Sequence, residues 1–235
     1  MAFRNAFWNV LNWLFPPQCV CCGKEGSTIC DECLSGLRPV GKHFCPRCGK
    51  PLDKGKHCRL CAGSDFRFQA SRAPYLYEGA ASAMIKALKF NGCRNLAPIL
   101  ADEMAEFWQE LRWDADMIVP VPLSRQRRAA RGFNQSELIG AFFSQKTGIP
   151  MCKNALMKIR DTDAQVGLNA DERRKNLIGS FAAEPTLVRG KRVLLLDDVM
   201  TTGSTFAECT AALLDAGADS VNCISAATTA RGIGT

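Results

Sequence analysis

The sequence predicts an α/β fold, a parallel sheet flanked by helices, with a small cysteine-rich module ahead of it. Three observations predict it. Short apolar runs alternate with amphipathic stretches through the later part of the chain. The run Val193–Thr205, VLLLDDVMTTGST, leads from four apolar residues through two carboxylates into a hydroxyl- and glycine-rich loop, and a helical pattern follows. Nine of the 13 cysteines fall before residue 62, and eight of them form four Cys-x-x-Cys pairs. With 235 residues and 47% hydrophobic content the chain can bury a full core. One medium domain over residues 67–235 and a small module over 1–66 fit that length.

The first segment, MAFRNAFWNVLNWLFPP, sets Phe3, Phe7, Leu11 and Leu14 at helical spacing, and Pro16-Pro17 stops the pattern. Trp8, Trp13 and Phe15 broaden the apolar face. Asn5, Asn9 and Asn12 interrupt it, and no small-residue cleavage site follows, so it does not read as a signal peptide. No stretch reaches the ~18 apolar residues of a membrane span. A helix docked on its own domain is expected. A peripheral contact with a membrane surface or a partner is the alternative.

The four pairs are Cys19/Cys22, Cys30/Cys33, Cys45/Cys48 and Cys58/Cys61. Gly23 and Gly49 follow two of them and suit the tight turn that wraps a metal. Each pair supplies half a tetrahedral thiolate site, so four pairs make two Cys₄ zinc sites. Sequential pairing is the expectation, and interleaved pairing has the same spacing. Cys21 is spare, and His43 and His57 are read as bystanders. A disulfide scaffold would need an oxidising compartment, and no export signal is visible, so a cytoplasmic location is expected. Four thiolates leave no open coordination position, so the sites are structural. Two such sites would lower the formal charge of +7 to +3, which makes global charge weak evidence for nucleic acid.

Asp65–Arg72 reads as a separator between module and domain. Beyond it, Ala73–Tyr77 reads as a strand and Ala81–Leu88 as a short helix carrying Lys86, with Lys89 and Phe90 past its end. Leu96–Leu111 and Gln135–Thr147 read as amphipathic helices, the second stopped by Gly148. Met117–Val121, Arg192–Leu196 and Ser220–Ala226 read as strands, and Phe206–Ala216 as a helix.

The acidic pair and its loop carry the chemistry. A helix N-terminus with Thr201, Thr202, Gly203, Ser204 and Thr205 offers N–H and O–H donors to a phosphate, and Gly203 lets the backbone come close. Asp197 and Asp198 suit the donor hydroxyls of a bound ligand. No Gly-Lys-Ser/Thr is present, so this is not a P-loop. Three other segments matter. Arg125, Arg127, Arg128 and Arg131 crowd beyond a strand's carboxyl end, where guanidinium groups bind phosphate oxygens; a solvated helix face is the bland reading. Lys86 and Lys89 in IKALKF are phosphate contacts or a solvated edge. Leu156–Phe181 is polar and rich in both charges; it reads as a lid, or as a two-stranded excursion or surface loop.

The VLLLDDVMTTGST run resembles the phosphoribosyl pyrophosphate (PRPP) motif of type I phosphoribosyltransferases. The paired knuckles, IKALKF, VPVPLSRQRRAARGFNQS, then Thr162, Gln165, Leu168, Arg173 and Asn176, and finally the PRPP motif, together resemble the ComF family. That resemblance implies a double zinc ribbon followed by a type I phosphoribosyltransferase fold. It further implies Mg²⁺ with PRPP, a lid containing Thr162, Gln165 and Arg173, and a role with single-stranded DNA in natural transformation. Partners would then include a competence helicase or other DNA-uptake proteins. Several purine-base transferases carry Asp at the first loop position, where this chain has Thr201, which argues against purine salvage. No Cys follows Met1, which argues against glutamine-dependent amide transfer. Three functions compete: a PRPP-binding DNA-handling protein, an active phosphoribosyltransferase, and a zinc-ribbon adaptor with a silent second domain. The first is expected.

Overall fold

The structure, a computed structural model, describes residues 16–52, 55, 58–160, 177 and 179–230. The proposed N-terminal helix and the lid residues Thr162, Gln165 and Arg173, with Leu168 and Asn176, lie outside them. The cysteine region contributes helices α1 (Asp31–Ser35) and α2 (Arg59–Ala62). The body then runs β1 (Ser71–Arg72), β2 (Tyr75–Leu76), α3 (Gly79–Phe90), α4 (Leu96–Leu111), β3 (Met117–Pro120), α5 (Arg125–Arg131), α6 (Gln135–Thr147), β4 (Leu156–Lys158), β5 (Phe181–Ala183), α7 (Pro185–Val188), β6 (Arg192–Met200), α8 (Ser204–Asp215) and β7 (Ser220–Thr228).

The main sheet is parallel throughout. Its order is β1-β7-β6-β3, with β2 beside β1 on the same edge of β7. Strand alternation splits the core between two faces. Leu194, Leu196, Ile118 and Ile224 pack with α3, α4 and α6 on one face. Val193, Leu195, Val119 and Val221 pack with α8 on the other. On the first face Trp108 meets Trp113 and Phe143 edge-on, each with ring centroids 6.2 Å apart.

The double ribbon covers an open edge of the sheet rather than hanging from it. The Leu76 amide donates to the Arg38 carbonyl, the Val40 amide to Pro74, and the Ser71 amide to Arg47. Backbone groups that would otherwise leave an unpaired edge are thereby satisfied. The first ribbon adds Cys19, Ile29 and Leu37 to one face's core. The second adds Cys45 and Cys48 to the other. Asp65–Arg72 is accordingly no simple separator: Phe66 and Phe68 stack with centroids 4.9 Å apart inside the core, and Ser71–Arg72 is a strand.

Local deviations from the sequence reading have physical causes. The strand expected over Ala73–Tyr77 is only Tyr75–Leu76, and Pro74, which lacks an N–H for the ladder, separates it from β1 (Ser71–Arg72). The helix expected over Ala81–Leu88 extends to Phe90, so Lys89 and Phe90 belong to its last turn. The strand β6 runs four residues further than Leu196, through both carboxylates to Met200, because Val199 and Met200 still pair with Ala227 and Thr228. The ends of Leu156–Phe181 form the antiparallel pair β4–β5, which matches the two-stranded alternative at those ends.

Candidate functional site

The site is built at the carboxyl ends of β3 and β6, where an open parallel sheet places its ligands. Asn134 fixes the geometry. Its Nδ2 donates to the Val121 carbonyl at 2.9 Å, and its Oδ1 accepts from the Ser136 amide at 3.0 Å as the N-cap of α6. That anchors the first turn of α6 against the strand end and aims Ser136 at β6. The Ser136 hydroxyl donates to Asp197 Oδ1 at 2.8 Å, and the Asp198 amide donates to the same oxygen at 2.9 Å. Burial, reinforced by the adjacent Asp198 carboxylate, pushes Asp197 up to about 7 despite Lys89 and Ser136.

Asp198 is 2% exposed. Lys89 from the last turn of α3 reaches its Oδ1 at 2.8 Å. Burial opposes the lysine's charge, but Asp198 and Asp197 outweigh it and hold Lys89 above its usual range. The second carboxylate oxygen, Asp198 Oδ2, is buried and has no hydrogen-bond partner among the described residues. Such an orphaned acceptor is costly unless a ligand donor completes it.

Directly after the pair, Thr201–Thr205 turns into α8. Gly203 is the N-cap of that helix, with φ +77°, the left-handed region where glycine is at ease. A Cβ there would stand 2.9 Å from Met200 Cε and 3.2 Å from Phe66 Cζ. The Thr202 and Ser204 hydroxyls bond each other at 2.9 Å, and both residues are buried. The loop therefore presents backbone amides and hydroxyls at the positive end of a 12-residue helix dipole. If the loop holds a phosphate, Gly203→Ala is expected to weaken that binding by tenfold or more, roughly the cost of a displaced loop, readable by calorimetry with zinc content unchanged.

The arginine run is α5, capped by Ser124 and ended by Gly132 at φ +78°. Arg131 leans over the Phe90 ring, 5.6 Å from its centroid, and is hydrogen-bonded to Gln135. Arg128 is engaged bidentately by Glu137 at 2.6 and 3.0 Å. Arg125 and Lys86 are exposed. Phe90 is 73% exposed, and Arg94 stacks over Phe133 at 4.7 Å. Of the sequence-predicted residues, the structure thus brings together Asp197, Asp198, Lys89, Arg131 and the Thr201–Thr205 loop. It leaves Arg125, Arg128 and Lys86 outside that cluster. Lys89 meets a carboxylate rather than open solvent.

The eight cysteines form two clusters, Cys19/Cys22/Cys30/Cys33 and Cys45/Cys48/Cys58/Cys61, each with its four Sγ atoms within 4.8 Å of one another. A tetrahedral site with Zn–S bonds of ~2.3 Å needs Sγ atoms about 3.8 Å apart. Cys22 and Cys30 stand 3.7 Å apart, and Cys48 and Cys58 3.3 Å. In each cluster one pair sits in a glycine-closed turn, with Gly23 and Gly49 amides donating to Cys19 and Cys45, and the other pair opens a short helix. The donor set and spacing fit zinc, and the pairing is sequential. All the cysteines are free thiols, and Cys21 stays exposed outside both clusters.

A double zinc ribbon family model matches residues 10–62, and a phosphoribosyl transferase domain model matches residues 91–234. The chain is 33% identical over 199 residues to DNA utilization protein YhgH of Escherichia coli K12, covering 82% of this chain and 87% of the relative. It is 30% identical over 202 residues to competence protein F of Haemophilus influenzae, with 82% and 87% covered. The chain belongs to the ComF family. A solved adenine phosphoribosyltransferase from Leishmania tarentolae overlays 80% of both chains, with TM-score 0.40 and 15% identity. In ComF terms, the double ribbon is the edge-covering module described above, and the transferase domain is the sheet that carries the acidic pair. No helix among the described residues is long and apolar enough to cross a membrane.

Sequence reasoning missed Ser136 as the partner of Asp197, although the GFNQS run containing it stood out. It also missed Lys50, whose position within a knuckle gives no outward signal.

Proposed function

We propose that this ComF-family chain binds PRPP with Mg²⁺ at Asp197–Thr205 and handles single-stranded DNA during natural transformation. The observation that carries the ligand reading is Asp198 Oδ2, a buried acceptor with no hydrogen-bond partner among the described residues, set beside a donor-rich loop at a helix N-terminus. In this reading the ribose hydroxyls donate to Asp198 Oδ2 and Asp197, while Ser136 holds Asp197 in place. The 5′-phosphate takes the amides and hydroxyls of Thr201, Thr202, Gly203, Ser204 and Thr205. Lys89 and Arg131 face the pyrophosphate side. Mg²⁺ would neutralise pyrophosphate charge, and the acidic pair is the carboxylate set suited to its water shell.

The DNA half of the reading draws on the relatives named for DNA utilization and competence. It also draws on the surface beyond the site. Exposed Phe90 offers a ring on which a base can stack, and Arg94, Arg125 and Arg131 offer contacts to backbone phosphate. Titrating Mg²⁺·PRPP calorimetrically into the zinc-loaded protein, with and without single-stranded DNA, tests both halves. Binding that disappears in Asp197→Ala and shifts with DNA supports them; no heat under either condition rejects the PRPP reading. Single-strand affinity should fall steeply with salt, with a slope reduced by roughly 0.7 for each phosphate contact removed, as in Arg125→Gln. A flat salt dependence would reject the DNA half.

The raised Asp197 sets a pH dependence. A ribose hydroxyl donates to the carboxylate form, so affinity should climb as pH rises from 6 to 8 and Asp197 ionises near 7. Free-protein stability runs the other way. A carboxyl raised in the folded state holds its proton more tightly than in the unfolded chain, so its contribution is present below its ordinary range and lost as pH climbs through 7. Calorimetry at pH 6 and 8 in buffers of different ionisation enthalpy reads the linked proton.

A second reading, an active phosphoribosyltransferase, is favoured by the same residue, since a carboxyl near 7 can hold or release a proton at neutrality. Acceptor-dependent release of pyrophosphate from PRPP would support it. Silence across a broad panel of acceptors would count against it.

A further inference from the structure

We infer that Lys50 and Phe66 are positioning residues of the phosphate loop, through which the second zinc ribbon holds the ligand site in its binding shape. Lys50 lies between the Cys45/Cys48 and Cys58/Cys61 pairs, yet it is 2% exposed. A buried lysine is tolerated only where its ammonium is well bonded. Its Nζ donates to the Thr229 carbonyl at 2.9 Å and to the Thr229 hydroxyl at 2.5 Å. The Thr229 amide in turn donates to the carbonyl of Met200, the residue immediately before the loop. The Thr228 hydroxyl, at 3.1 Å, donates to the same carbonyl. Met200 then packs its side chain beneath Gly203, where a Cβ would come within 2.9 Å of its terminal methyl.

A second route starts one turn earlier in the same knuckle. One Arg47 nitrogen, Nη1, donates to the carbonyls of Phe66 and Phe68 at 2.6 and 2.9 Å. The Ser71 amide returns a bond to the Arg47 carbonyl. Gly49 sits so close to the sheet edge that a Cβ would stand 2.4 Å from the Ser71 carbonyl oxygen. Phe66, fixed in this way, lays its ring edge against Gly203, where a Cβ would stand 3.2 Å from its Cζ. Both routes leave the same ribbon and meet at the one loop residue with a left-handed backbone. The first ribbon's Arg38 and Val40 bond Leu76, Glu78 and Pro74, and none of these residues lies against Gly203, where Met200 and Phe66 stand. The zinc-bound knuckle is therefore the outer wall of the phosphate cradle, and its distance from the acidic pair does not make it a separate module.

The inference rests on the PRPP reading only for its ligand readout. The test uses the zinc-loaded full chain and the variants Lys50→Met, Phe66→Leu and Thr229→Val, with Arg38→Ala in the first ribbon as the control. Hydrogen exchange is followed at the amides of residues 201–207, alongside zinc content and Mg²⁺·PRPP titration. The expected result is full zinc content, with loop amides exchanging about tenfold faster or more in the first three variants and unchanged in the control. Affinity for Mg²⁺·PRPP should fall in step. Wild-type exchange at the loop in all three, with zinc retained, overturns the inference. Thr229→Val lies far from the cysteines in sequence, so a variant that loses metal does not remove the test. If the wild type binds no Mg²⁺·PRPP but the exchange effect persists, the ligand reading fails and the positioning role stands.

Discussion

If the chain binds Mg²⁺·PRPP as proposed, Asp198→Asn is expected to weaken that binding by a hundredfold or more and to destabilise the fold at the same time, because in that reading one carboxylate serves both. The substitution replaces one carboxylate oxygen with an NH₂ donor and removes the charge that the ribose hydroxyl would meet, and it takes from Lys89, whose side chain is 21% exposed, its directly paired counter-ion. Breaking a buried pair by removing one partner costs ~3–5 kcal/mol, since the remaining charge stays desolvated. The two effects separate in a double variant. Lys89→Met with Asp198→Asn should recover most of the stability while binding stays absent, as read by urea melts and calorimetry. If the single variant binds normally, Asp198 is a structural counter-ion alone. Recovery of binding in the double variant would make Lys89, rather than the ligand, the reason the aspartate is present.

The second large effect is expected on removing zinc from the Cys45/Cys48/Cys58/Cys61 site. Structural zinc sites contribute ~10–16 kcal/mol of folding free energy in small peptides. Here Cys45 and Cys48 are also core residues, packed in the same cluster as Phe66, Phe68 and β6. Chelation, or Cys48→Ser, should therefore collapse the ribbon and the transferase sheet in a single thermal transition. A ribbon tethered as an independent unit would melt alone and leave the sheet's transition in place. Differential scanning calorimetry with and without chelator distinguishes these outcomes.

How much of this could be read in the sequence depended on whether the signal was local. The helices α4 and α6 were legible to their ends, because apolar spacing sets their faces and Gly148 supplies a left-handed stop for α6. The loop's place at the N-terminus of a helix was legible for the same reason. Lys89 was legible only as a phosphate contact or a solvated edge, and the packing of α3 brings it to Asp198 instead. Ser136 needed the sheet order, since 61 residues separate it from Asp197. Lys50 needed the whole chain, because its partner is 179 residues away. The acidic pair was read just past a strand over Arg192–Leu196, and pairing with β7 carries that strand through it to Met200.

The placement of β7 has a consequence for how the protein is made. This last strand lies between β6 and the early strands β1 and β2, with Ser71 opposite Cys223. On the ribosome, the zinc-binding segment emerges first and can close around its metal at once. The sheet edge it covers does not exist until residues 220–228 have left the exit tunnel. During that interval the apolar backs of both ribbons and the unpaired edges of β1, β2 and β6 are open together. Pairings that are distant along the chain form slowly and leave such surfaces exposed to aggregation. A nascent chain of this topology is thus most vulnerable until β7 has emerged and paired, and that strand acts as the latch.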